Sequence, residues 1–283
     1  MGVWWSGSRR SPDGGPDVAA ELESLGYRTF WMSGGFGPGL ADRFGKVLKA
    51  TREMVVASGI VSIWPNDPAT LAGEVAALQR DHPGRFLLGL GVSHAPVVEA
   101  SGTSYRHPYS RMVDFLDDLD RATPTVPPAD RVLAALGPRM LRLAADRSAG
   151  AHPYFVPVRH VAEARAVLGP GRLLAVELAV VLETDPDRAR TLARDYTTGY
   201  LSLPNYAGNL LRLGSTEEDL AGGGSDRLVD SLIAWGDEEA VLDRVRAFRE
   251  AGADHVCLQV LGEAGLGTFP LGDYRRIAAA LTG

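Results

Sequence analysis

A chain of 283 residues, 45% of them hydrophobic, can bury a substantial core as one large α/β domain or two small ones. Its net charge of −6 argues against a nucleic-acid surface as its main role, and a single cysteine, Cys257, excludes an intramolecular disulfide framework and any multi-cysteine metal site. No apolar run approaches the roughly 20 residues that span a bilayer, and the N-terminus shows no apolar signal region; the expectation is a soluble cytoplasmic protein acting on a small molecule, away from membrane and nucleic acid.

Strand-like and helix-like stretches then alternate along the chain. Gly2–Trp5 reads as a short apolar strand, 17–25 as a helix stopped by Gly26, Thr29–Met32 as the second strand, and Leu40–Ala50 as a helix with Leu40, Phe44, Val47 and Leu48 on one side. The third strand, 54–63, is rich in β-branched residues, and Asp67-Pro68 opens the next helix with an N-cap and a first-turn proline. A fourth strand spans 86–92. Helix 111–121, strand 131–136, helix Pro138–Arg147, strand 151–156, helix 161–168 and strand 173–182 follow. The stretch 185–234 is helical but less regular and is interrupted by Gly222-Gly223-Gly224-Ser225. Helix 238–251, strand His255–Val260 and helix 274–281 close the chain. Eight strands, each followed by a helix, predict an α/β fold of the (β/α)8 TIM-barrel type, one domain over 1–283 with an insertion between strands 7 and 8.

In such a barrel the strand ends converge, so residues distant in sequence meet at one face. Those ends are rich in glycine, serine and aromatics; they hold neither a carboxylate cluster nor a His-x-His pair, so no metal site is expected. A rim of small residues with few protonatable groups fits a flat organic cofactor that brings its own chemistry. The run Phe86-Leu87-Leu88-Gly89-Leu90-Gly91-Val92-Ser93-His94 is the clearest case: an apolar strand whose glycines leave room for a flat group, ending on a histidine. Gly137-Pro138-Arg139-Met140 starts a helix directly after a strand, and its free first-turn N–H groups form either an anion site or an ordinary strand-to-helix turn. His152 and Tyr154, two apart, point to the same side of the sixth strand. Glu177, among apolar neighbours, calls for a partner such as an arginine inside the barrel.

Three passages carry a family resemblance: Met54 to Val61, then Pro68-Ala69-Thr70-Leu71-Ala72, then Pro83 to Gly91. Gly137 to Ala144, followed by Gly150, adds a fourth. The chain resembles the luciferase-like monooxygenase superfamily, specifically its coenzyme F420-dependent oxidoreductases. The resemblance implies a ring stacked against a bulge of the third strand at Ser58, Gly59 and Ile60, with a non-prolyl cis peptide at Gly59–Ile60. It implies a phosphate on Gly137, Pro138, Arg139 and Met140, and Val92, Ser93 and His94 bordering the ring. Sugar-phosphate-oxidising members end the second strand with Asp-His and an aromatic soon after; here Ser33-Gly34-Gly35-Phe36 stands instead. His94 occupies the place of the glutamate that supplies the proton in those members, which makes it the candidate catalytic acid or base. Trp5, Gly35, Tyr109 and His152 are the candidate substrate contacts, the second-strand glycines admitting a bulky substrate. The expected activity is hydride transfer between C5 of the deazaflavin of F420 and a small organic substrate. The alternatives are an FMN-dependent monooxygenase on the same scaffold and a non-catalytic F420-binding barrel, and by analogy a homodimer is expected.

Overall fold

Alternating apolar residues in short parallel strands give each strand one face toward a barrel interior and one toward a helical shell. In the computed structural model, which describes residues 1–6, 15–35, 37–262 and 269–282, the chain runs β1 (Gly2–Trp5), α1 (Gly15–Ser24), β2 (Thr29–Met32), α2 (Leu40–Ala50), β3 (Val55–Ser58), β4 (Val61–Ser62) and α3 (Pro68–Asp81). It continues through β5 (Phe86–Gly91), α4 (Ala95–Ala100), α5 (Pro108–Arg121), β6 (Arg131–Leu133), α6 (Pro138–Arg147), β7 (Gly150–Ala151), α7 (Val158–Leu168) and β8 (Leu173–Val181). Last come α8 (Pro186–Leu201), α9 (Pro204–Arg212), α10 (Glu217–Leu220), α11 (Asp226–Leu232), β9 (Ile233–Trp235), α12 (Glu238–Glu250), β10 (His255–Val260) and α13 (Leu271–Thr282).

All pairings are parallel, and the ring closes because β10 pairs with both β1 and β8. β3 and β4 are two pieces of one stave, both against β5, so the result is the expected (β/α)8 barrel. Val3, Phe30, Val56, Leu88, Val176 and Leu258 pack outward against the helices; Trp4, Trp31, Ala57, Val132, Ala175 and Cys257 fill the interior. The helices start where their side chains dictate: Asp67 accepts the Thr70 N–H before α3, and Asp237 accepts the Ala240 N–H before α12.

Three departures from the predicted strands shape the functional end. The third strand breaks at Gly59–Ile60, whose peptide bond is cis, as the resemblance implied. The sixth is only Gly150–Ala151: Pro153 lacks an N–H and Phe155 takes φ 57°, so the chain leaves the ladder early. Its wall persists through His152 N–H to Leu133 O at 2.9 Å and Glu177 N–H to Pro153 O at 3.1 Å. The insertion contains a strand that the sequence reading missed: β9 pairs with β8 at Ala179, Val180 and Val181, above the two residues, Leu173 and Leu174, that pair with β7.

Candidate functional site

The C-terminal ends of the strands enclose a cavity of about 620 Å³, within the size range of small-molecule and cofactor sites. Of the candidate residues, Gly35, Gly59, Ile60, Val92, Ser93, His94, Gly137, Met140 and His152 line it together. Ser58, Pro138, Arg139, Trp5 and Tyr109 lie outside its lining. Ser58 is fully buried and clamps the neighbouring strand, its hydroxyl donating to Gly89 O at 3.0 Å and accepting from Gly89 N–H at 2.8 Å. Strand alternation turns Trp5 outward onto Phe30 and Phe269 and sends Trp4 into the cavity instead, 5.0 Å from Tyr154. Tyr109 lies under the Arg139 guanidinium, which stands 4.3 Å over its ring.

The glycines do something other than leave open space. A Cβ on Gly89 would come within 1.9 Å of Ser58 O, and one on Gly91 within 2.6 Å of Ile60 Cδ1, so both admit the bulge of the adjoining stave. Gly34 does the same for that bulge from the other side, since its Cβ would meet Val61 N at 2.5 Å. The room expected at Gly34 is therefore filled by backbone, and only Gly35 of the pair opens onto the cavity. Phe36 lies outside the described residues.

Ile60, Val92, Ala134, Ala135 and Leu136 form an apolar section of the lining that leads to the first turn of α6. Gly137 caps that helix without a side chain, Pro138 has no N–H, and the Arg139 and Met140 N–H groups have no partner among the described residues. An apolar slot leading to uncapped helix amides matches a flat ring with a phosphate tail. The residues present fit such a group: Ile60 and Val92 would flank a ring, and the first-turn amides after Gly137 would meet an anion.

His94 stands at the mouth of the slot, just before α4, where Ser93 adopts φ 56° and turns the chain off the strand. Its Nδ1 is 2.9 Å from Asn205 Oδ1 on α9. With an amide oxygen as acceptor, Nδ1 carries the proton and Nε2 keeps its lone pair. Burial lowers the imidazole pKa below its ordinary value, and the Asn205 contact offsets part of that. His152 is a different kind of group. It stacks on Trp31 at 4.1 Å, gives its Nδ1 proton to Ala175 O at 2.9 Å, and is pushed down to about 4 by burial. It is a fixed neutral group at the cavity floor.

Glu177 on β8 has no arginine beside it among the described residues, contrary to the expectation. One carboxyl oxygen accepts the Phe155 N–H at 3.1 Å and the other is unpartnered. Burial raises its pKa to about 8, against the opposing pull of that N–H and of the nearby Tyr196 hydroxyl, so a neutral acid replaces the predicted ion pair.

Part of the site was not found from sequence. Helices α8 and α9 bring Tyr200, Asn205, Tyr206 and Asn209 over the cavity. With Tyr196 and Tyr154 they build an aromatic wall, in which Tyr206 lies 5.3 Å from the His94 ring and 5.4 Å from Tyr200. The usable signal was three tyrosines within eleven residues, two of them one helical turn apart. Arg212 is the one charged side chain lining the cavity among the described residues; Glu163 and Asn209 hold it at 2.8 and 2.9 Å.

Comparison with known proteins agrees with this geometry. A family model described as luciferase-like monooxygenase matches residues 4–255. No curated protein matches the sequence. Among solved structures, an F420-dependent secondary alcohol dehydrogenase in complex with an F420-acetone adduct is similar with a TM-score of 0.75 and 16% identity, over 98% of this chain and 96% of that one. The coenzyme F420-dependent tetrahydromethanopterin reductase from Methanopyrus kandleri gives a TM-score of 0.67 at 14% identity, over the same shares of the two chains. The FMN-bound oxygenating constituent of 3,6-diketocamphane monooxygenase from Pseudomonas putida gives 0.67 at 16%, again over 98% and 96%. At these identities the structural likenesses establish the fold, and the family model establishes the lineage: the chain belongs to the luciferase-like monooxygenase family.

Proposed function

We infer that this protein is an F420-dependent oxidoreductase that moves a hydride between the deazaflavin C5 and an organic substrate, with His94 handling the accompanying proton. The observation that carries this reading is the His94–Asn205 pair, which holds a neutral imidazole in the cavity lining beside the apolar section. When bound, the cofactor supplies the hydride acceptor or donor. Burial favours the unprotonated imidazole, so His94 works first as a base, and oxidation of an alcohol is the direction it assists best. In that direction the substrate C–H leaves as hydride, its O–H proton passes to Nε2, and a carbonyl compound remains. Two of the similar folds carry F420 in their descriptions, which supports this cofactor.

An FMN-dependent monooxygenase is the second reading, supported by the FMN-bound fold and by a slot whose helix N-terminus would hold the phosphate of either cofactor. Titration of the purified protein with F420 and FMN side by side separates the two. Saturable quenching of F420 fluorescence is the expected result, and a yellow protein that retains FMN and ignores F420 would overturn the first reading. His94→Ala should bind F420 as before and lose turnover; unchanged turnover would remove His94 from the mechanism.

A further inference from the structure

Tyr154, Tyr196 and Tyr200 have no part in the proton step above, yet their hydroxyls meet in one cluster at the cavity wall. Tyr154 Oη lies 2.8 Å from Tyr196 Oη, 2.8 Å from Tyr200 Oη and 2.6 Å from Gln259 Oε1. Tyr196 Oη is also 3.3 Å from Gln259 Oε1. Tyr154 and Tyr196 are buried, while Tyr200 is the least enclosed of the three and lines the cavity.

Counting protons shows what this arrangement permits. Each phenol has one proton to give, and Gln259 Oε1 can only accept. In one pattern Tyr200 and Tyr196 both donate to Tyr154, which donates to Gln259; Tyr200 then presents only lone pairs to the cavity. In the other, Tyr196 still donates to Tyr154 and Tyr154 to Gln259, while the Tyr200 hydroxyl turns its proton away from Tyr154 toward a ligand. The two patterns carry the same charge, and in the second the Tyr200 and Tyr154 oxygens, 2.8 Å apart in the first, separate. The first suits a ligand hydroxyl, the second a carbonyl oxygen.

We propose that Tyr200 is the contact for the substrate oxygen, and that its rotatable hydroxyl, donating either to Tyr154 or to the ligand, lets one site hold both an alcohol and the carbonyl compound formed from it. The proposal rests on the alcohol oxidation inferred for this site and adds the class of substrate. The wall around Tyr200 is aromatic, with Trp4, Tyr154 and Tyr206, and the one charged side chain lining the cavity among the described residues, Arg212, is already paired. The substrate is therefore an uncharged, ring-bearing alcohol or its carbonyl product, rather than a carboxylate or phosphate ester.

The test is binding of four matched probes, 1-indanol, 1-indanone, indane and indane-1-carboxylate, to the protein without cofactor, followed by ligand-observed NMR. The wild type should prefer the alcohol and the ketone over indane by about three- to tenfold, the range of one net hydrogen bond. Tyr200→Phe, which keeps its ring stack on Phe155 at 5.1 Å, should abolish that preference and leave indane affinity unchanged. A preference that survives Tyr200→Phe overturns the proposal, as does equal binding or no binding of the three uncharged probes by the wild type, or a preference for the carboxylate. An F420 titration of the same samples is read separately: loss of F420 binding would refute the cofactor assignment without touching the probe results.

Discussion

Glu177→Gln tests whether a neutral acid stands inside the barrel. Its carboxyl is buried, with one oxygen on the Phe155 N–H and no cation beside it among the described residues, and its pKa is raised from 4.5 to about 8. In the unfolded chain the group ionises from pH 4.5 upward, whereas in the folded chain it stays protonated until about pH 8. The folded state therefore holds the extra proton between those values, and stability falls as pH rises through that window. From pH 6.5 to 8 the difference amounts to about 2 kcal/mol, at roughly 1.4 kcal/mol per pH unit. The buried histidines His152, His160 and His255, pushed down to about 4, 4 and 3, have the opposite sign: they weaken the fold as pH falls below 6.5 and are neutral in both states above it. The Met1 amine also titrates differently in the two states, but it does so equally in wild type and variant. Urea denaturation of both proteins at pH 6.5, 7.25 and 8 should therefore show the wild type losing about 2 kcal/mol relative to Glu177→Gln across the series. Parallel pH profiles would mean that Glu177 is ionised in the fold and has a cationic partner after all.

Asn205→Ala removes the acceptor of the His94 Nδ1 proton, so the His94 NMR titration midpoint should move to still lower pH and maximal turnover should fall by about two- to tenfold; a midpoint that rises refutes the assigned tautomer. Gly91→Ala places a Cβ 2.6 Å from Ile60 Cδ1 and 3.3 Å from Ala134 Cβ, which should cost about 1–3 kcal/mol in thermal or urea denaturation. The same variant should weaken F420 binding, because Ile60 is driven into the slot, and unchanged affinity would place the ring elsewhere. Arg131→Met strips the fully buried guanidinium from Val126 O, Arg147 O and Asp120, and should cost about 3 kcal/mol of stability while leaving F420 affinity intact.

The barrel was legible because its signals are local: β-branched and apolar strands, a cap at Asp67, and a helix after each strand. Much of the cavity lining was legible for a similar reason, since Gly59–Ile60 and Gly91 to His94 are contiguous stretches of it, and Gly137 and Met140 lie three apart. What escaped depends on contacts between distant segments. Strand alternation could have favoured Trp4 over Trp5, but only the closed ring shows which face is inside. The role of Asn205 was invisible because its partner His94 lies 111 residues away. The glycines were misread for the same reason: their space is occupied by a neighbouring stave, which a single strand cannot reveal. Glu177 looked like half of an ion pair because sequence reading prices a buried charge, whereas the fold removes the charge itself.

The small strand β9 has a consequence for how this barrel can vary. Val181 and Trp235 are register partners, and the Gly236 N–H reaches Val181 O at 3.2 Å, so the chain departs for α8 and returns from α11 at a single point of the sheet. A segment whose two ends already touch is an interchangeable cassette: replacing it leaves the closure of the ring untouched and costs little in chain entropy even when its length changes. The cassette carries Tyr196, Tyr200, Asn205 and Tyr206, while the ring slot and the helix amides belong to the segments before it. A chimera exchanging the stretch between residues 182 and 234 would therefore replace the helical part of the aromatic wall while leaving the apolar lining at Ile60 and Val92 and the start of α6 in place.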